Sequence, residues 1–192
     1  MAGAFVLASL AGCQSDTHAS PPANSASNPA TSTTPKPEIA NPLNTAAFAA
    51  STCSGITDAQ VAPYLGALRK KDPQQANDGP LCTFLPQNVV GPTMAIGVST
   101  IATPTQDLLY QSLANLPWRQ KIAPIAGYQA VDSSQDANGQ SDCSTNVIVN
   151  DSQTLVVEFT ATNSSDQNYA KPCVASEALT AQLIQNIKSG GA

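Results

Sequence analysis

The stretch NVIVNDSQTLVVEFT, residues 146–160, decides the fold class. Val147 and Val149 stand two apart before the polar run Asn150-Asp151-Ser152-Gln153, and Leu155, Val157 and Phe159 repeat that spacing after it. Successive side chains of a strand point to opposite faces, so this period of two places all five on one side of a hairpin. The spacing predicts strands over Asn146–Asn150 and Thr154–Thr160, packed on a core by one face.

Downstream, the segment from Pro172 to about Lys188 reads as a helix. Ala175, Leu179, Leu183 and Ile187 form its apolar stripe, and Gly190-Gly191 ends it. Upstream, Asp132–Asp142 is a polar loop, and Ile122–Val131, broken by Pro124 and Gly127, reads as one edge strand. A capping box at Thr103-Pro104-Thr105-Gln106, with proline in the first helical position, predicts a helix to about Leu116. Leu81–Leu85 and Met94–Ile101 read as strands after the turn Asp78-Gly79-Pro80, with Met94, Ile96 and Val98 sharing a face.

A first helix opens at Ile56-Thr57-Asp58-Ala59-Gln60-Val61. Thr57 caps it, Gln60 reciprocates and Ile56 staples to Val61, while Pro63 predicts a kink or early break. Arg69-Lys70-Lys71 reads as the solvated C-terminal end of that helix, where cations suit the dipole. The resulting order is αββαβββα. It predicts an α+β domain: an antiparallel sheet of about five strands packed by helices.

Residues 14–51 are different in kind. They are rich in Ser, Thr, Pro, Ala and Asn and carry three formal charges, Asp16, Lys36 and Glu38. Such a segment cannot bury enough apolar surface to offset its ordering entropy. The expectation is a tether over 13–51, reaching roughly 35 Å, and one globular domain over 52–192. The net charge is −5. Arg69-Lys70-Lys71 is the only basic run, so nucleic acid is excluded as a partner, since phosphate binding needs clustered cations.

Of the five cysteines, Cys53, Cys82, Cys143 and Cys173 form two pairs separated by 29 and 30 residues. There is no CxxC, and the only histidine, His18, lies in the tether, which fits zinc poorly. Of three possible connectivities we expect Cys53–Cys82 and Cys143–Cys173, each tying a helix to the sheet and each worth about 3.5 kcal/mol in loop-closure entropy.

The fifth, Cys13, follows Ala4–Leu10, an apolar run too short to span a bilayer. That run resembles the core of a secretory signal, and Leu10-Ala11-Gly12-Cys13 resembles the bacterial lipobox. The resemblance implies a signal over 1–12 and a diacylated Cys13 that holds the protein on the extracytoplasmic side of the cell membrane without a transmembrane helix. No Lys or Arg precedes Cys13, so the expectation is that translation starts upstream of Met1.

Taken together, Cys53-Ser54-Gly55-Ile56-Thr57, Tyr64-Leu65-Gly66, Cys82-Thr83-Phe84, Ile125-Ala126-Gly127-Tyr128-Gln129-Ala130, Asp142-Cys143 and Lys171-Pro172-Cys173 resemble the actinobacterial lipoproteins that contain the domain of unknown function 3558. The resemblance spans nearly all of the folded region. It supports location and disulfides and transfers no active site.

The domain itself has no histidine, which removes the commonest general base, and no GxSxG, GxGxxG or phosphate-loop motif. Its two glutamates are read as an outward strand residue, Glu158, and a helix-start residue, Glu177. Asp132–Asp142 has oxygen ligands suited to calcium but lacks EF-hand spacing and reads as a solvated turn. No metal or cofactor is expected. Trp118 and Arg119, at a helix exit, are the candidate partner-binding residues. The function expected is a non-catalytic, lipid-anchored module binding an envelope protein or glycan. The alternatives are an apolar-ligand carrier, which would need a sizeable cavity, and an envelope hydrolase, which would need convergent carboxylates.

Overall fold

A computed structural model describes residues 39–161 and 163–191. The signal segment 1–12, Cys13, His18 and the tether to residue 38 lie outside the described residues. The elements are α1 (Ala46–Ala50), α2 (Asp58–Leu65), β1 (Leu68–Ala76), β2 (Gly79–Pro86), β3 (Thr93–Ser99), α3 (Gln106–Ser112), β4 (Trp118–Ile125), β5 (Tyr128–Ser134), β6 (Asp142–Asn150), β7 (Gln153–Thr160) and α4 (Pro172–Lys188). A single turn of 3₁₀ helix spans Thr52–Ser54. All seven strands form one antiparallel sheet in the order β1-β2-β3-β7-β6-β5-β4. Two meanders, β1–β3 and β4–β7, join where Ile96 pairs with Val157 and Gly97 with Val156.

The expectation of five strands in the order αββαβββα is corrected. One added strand is β1, which holds the Arg69-Lys70-Lys71 run expected to end a helix. Helix α2 stops at Leu65 because Gly66 adopts φ 69° and the chain turns out. In β1 the cations alternate. Lys70 pairs with Asp72 at 2.7 Å on one face. Lys71 turns to the other, lies over the Phe84 ring at 5.2 Å and pairs with Asp58 at 2.6 Å.

The other added strand comes from splitting the expected edge strand. Ile125 pairs with Tyr128 across a two-residue turn in which both Ala126 (φ 51°) and Gly127 (φ 94°) are left-handed. This geometry matches the twist of the flanking strands. It is usually carried by Asn or Gly, so alanine in the first position hid the turn. Helix α3 is also shorter than expected. Its cap is Thr105, whose Oγ1 accepts from the Leu108 amide at 3.2 Å, and it ends at Ser112. The Gln106 amide nitrogen instead donates to the Ile122 and Ala130 carbonyls, at 3.0 and 2.7 Å.

One sheet face is fully covered. Met94, Ile96, Val98, Val147, Leu155, Val157 and Phe159 face Ala175, Leu179, Leu183 and Ile184 of α4, all buried. Helix α4 spans the residues its apolar stripe predicts, with Pro172 in the first turn. Residues 39–51, expected in the tether, belong to this core: Phe48 is 0% exposed, and the Leu43 amide donates to the Val149 carbonyl at 2.8 Å. A few alanines around one phenylalanine look like linker in composition, yet burying that ring contributes about 3 kcal/mol.

Two disulfides tie the layers. Cys53–Cys82 joins the Thr52–Ser54 turn to β2, with Cα atoms 5.1 Å apart, and Cys143–Cys173 joins β6 to α4 at 5.0 Å. The opposite sheet face is covered only in part. Leu109 of α3 packs on Val131 and Ile148, and the remainder stays open.

Candidate functional site

The open face is built by the positions that the core pattern skips. Between Met94, Ile96 and Val98 stand Ala95, Gly97 and Ser99; between Cys143, Thr145 and Val147 stand Ser144 and Asn146; between Leu155, Val157 and Phe159 stand Val156 and Glu158. Because strand side chains alternate, these small and polar residues all reach the same surface. The short side chains leave a groove of three linked depressions, about 170, 200 and 130 Å³. The first two share Asp78, Ser99 and Val156, the first and third share Glu158, and the last two share Asn146 and Leu113. The groove therefore crosses the strands from β2 to β5, with Leu113 and Leu116 after α3 as one wall.

Its charge is one-sided. Asp78, Asp142 and Glu158 line it, and among the described residues no Lys or Arg does. Glu158 sits between Ala95 on β3 and Ser144 on β6 and is exposed. It makes no hydrogen bond or ion pair among the described residues. Desolvation by its groove neighbours, and secondly the nearby Asp142 charge, raise its carboxyl above the usual glutamate range. Asp142 is engaged by its own loop: its Oδ2 accepts from the Gln135 amide at 2.9 Å. Asn146 is held from below, donating to the Ser144 carbonyl at 3.0 Å and to Ser133 Oγ at 3.3 Å.

A second polar cluster lies under α4. Asp132, 1% exposed, shares the covered face with Tyr128 and Ala130. Thr145 Oγ1 donates to its Oδ1 at 2.8 Å, and Glu177 of α4 faces it. Burial pushes the Asp132 carboxyl up to about 7, against the Thr145 hydroxyl, which favours the charge, and with the Glu177 carboxylate, which opposes it. The Cys143 and Cys173 sulfurs lie within 4.8 Å of that carboxylate, but they are bonded to each other and so are not metal ligands.

The residues singled out from sequence fare unevenly. Trp118 and Arg119 project to opposite faces of β4. Trp118 packs over Gly139, where an added Cβ would lie 3.0 Å from the indole, so it fastens the β5–β6 loop. Arg119 stacks over Tyr110 at 4.6 Å and donates from Nη1 to the Ala114 carbonyl at 3.1 Å. The structure therefore does not bring the pair together, and neither residue lines the groove. Glu158 and Glu177 are separated by the sheet. The expected polar loop over Asp132–Asp142 is shorter, since Asp132–Ser134 belong to β5 and Asp142 to β6. Within it Asp136 Oδ1 accepts from the Asn138 amide at 2.7 Å, the pattern of a self-closed turn. Glu158, read as an outward surface residue of its strand, is exposed as expected, and what sequence reasoning missed is that it lines a groove. Its signal was the row of small residues at alternate positions on the strands beside it.

Residues 8–186 match the family described as protein of unknown function (DUF3558). No curated protein matches the chain. With nearly its whole length covered, the chain belongs to that family.

Proposed function

We propose that this member of the DUF3558 family is an exported protein, held on the extracytoplasmic side of the cell membrane by lipid on Cys13. Its folded domain acts there as a non-catalytic binding module. The observation that carries this reading is the groove: one sheet face is filled by α4 while the other, across at least four strands, is left uncovered and acidic. The two disulfides support export, because such bonds persist in oxidising compartments. Among the described residues no helix is long and apolar enough to cross a membrane, so an anchor of another kind is consistent with the reading.

The two alternatives fit the geometry less well. An apolar ligand calls for an enclosed cavity that buries most of its surface, whereas these depressions open to solvent and the largest of the three is about 200 Å³. A hydrolase would need accessible convergent carboxylates: Asp132, beside Glu177, is 1% exposed, and in the groove Asp142 accepts from the Gln135 amide.

The test is the intact mass of the protein taken from the membrane of its native host, before and after reduction. The expected species begins at a diacylated Cys13 and gains four hydrogens on reduction, two per disulfide. A species that retains residues 1–12 with four free thiols in the domain would overturn the reading.

A further inference from the structure

We infer that the groove receives an extended polypeptide segment carrying a lysine or arginine, whose cation sits at Glu158 beside Asp142. This rests on the reading of the groove as the binding surface and names what fills it.

Charge selects the cation. Among the described residues three carboxylates line the groove without a basic residue; those of Asp78 and Glu158 make no bond of their own, and Glu158 is the one with a second carboxylate, Asp142, beside it. Glu158 is exposed, so an incoming cation meets an accessible carboxylate and forms a charge-assisted bond of surface strength. Asp142, two residues along β6 from Glu158's partner Ser144 and so on the same face, adds to the same attraction. Those two residues and Ser144 line the depression of about 130 Å³, whose volume is that of a side chain with its charged end at the carboxylate.

Shape selects the extended chain. The depressions follow one another across β2, β3, β7, β6 and β5. Four strand spacings amount to about 19 Å, the reach of about six residues in extended conformation. Each depression is the size of a side chain or two, and between them the floor rises only to Gly97, Val156 and Asn146. Apolar side chains would settle against Leu81 at one end and Leu113 and Leu116 at the other. The lining holds no aromatic ring on which a sugar could stack, which sets a glycan behind a polypeptide.

The experiment titrates the full ¹⁵N-labelled chain with an acetylated, amidated heptapeptide, Ser-Ala-Val-Lys-Val-Ala-Ser. Versions with arginine, norleucine or glutamate in place of lysine, and n-butylamine alone, serve as comparisons. The lysine and arginine peptides should shift the amides of 95–99, 144–146 and 156–158. Norleucine should weaken binding about two- to fivefold, as loss of an exposed ion pair requires. In the Glu158→Gln protein the lysine and norleucine peptides should bind alike.

If norleucine matches lysine in the unaltered protein, or butylamine matches the peptide, the assignment of a cationic segment fails while the groove remains the binding surface. If no peptide shifts the groove amides at millimolar concentration, or the shifts fall on the α4 face, the groove reading fails with it.

Discussion

Replacing Asp132 by asparagine should flatten the pH dependence of stability. Asp132 is buried between β5 and α4 with its carboxyl raised from 3.8 to about 7. A group whose folded-state value is raised binds its proton more tightly when folded. Its contribution is therefore full below about pH 4 and is lost as pH rises through 7. Integrated from pH 4.5 to 8, that difference in affinity amounts to about 3 kcal/mol of lost stability. The asparagine is nearly isosteric: its Oδ1 keeps the bond from Thr145, and its amide faces Glu177 as a donor where a second carboxylate stood. Urea titrations followed by the fluorescence of Trp118, the only tryptophan, read both proteins with disulfides intact. Unaltered protein should lose about 3 kcal/mol between pH 4.5 and 8, the variant markedly less, and at pH 8 the variant should be the more stable. Glu158, also raised, acts with the same sign and is removed by measuring both proteins in a Glu158→Gln background. Equal slopes in the two proteins would refute the placement of the titrating proton under α4.

Phe48→Ala should cost about 3–5 kcal/mol in urea unfolding; a change under 1 kcal/mol would return residues 39–51 to the tether. Ala126→Gly should raise stability by about 1 kcal/mol, since alanine at φ 51° carries the left-handed penalty that glycine lacks, and an unchanged melting temperature would contradict the two-residue turn. Replacing Cys143 and Cys173 together by serine should remove about 3 kcal/mol and speed amide exchange throughout α4; exchange that quickens elsewhere instead would show that the bond does not pin that helix. Ser144→Leu should abolish peptide binding with a stability change within about 0.5 kcal/mol, as for an open surface position. Retained binding there would place the ligand away from Glu158.

What could be read from the sequence was what one covered face imposes. The period-two runs at 147–149 and 155–159 and the stripe 175–187 each report burial against the other, and both elements formed where expected. The disulfides bridge the elements that the sequence reading proposed. The missed strands are the two sheet edges. Edge strands carry charges, prolines and polar side chains that deter pairing with other chains, so β1, LRKKDPQQA, has the composition of a solvated helix end. The α3 cap was misplaced for a related reason. Thr103 and Thr105 both satisfy the local capping rule, and the choice fell to distant partners, Thr154 Oγ1 for Thr103 and the 122 and 130 carbonyls for Gln106.

The groove was hidden by the alternation that revealed the core. Along β3 the reader sees Met94, Ile96 and Val98; Ala95, Gly97 and Ser99 register as spacers. They become a floor only when β3 lies against β7, a pairing across some sixty residues that no local pattern encodes. Glu158 shows the consequence. Judged within its own strand it is a polar residue on the outward face, which any half-buried hairpin has. Judged between Ala95 and Ser144, it is a carboxylate flanked by two small side chains, with Asp142 nearby. An outward strand face meant only for solvent gains from long, mixed-charge side chains that cover it. This one carries small residues around carboxylates with no basic residue among the described lining, and it lies opposite a face packed by α4. The small side chains contribute little to stability, so their value is the room they leave. For that reason the experiment with the most leverage on function is the comparison of lysine with norleucine at Glu158.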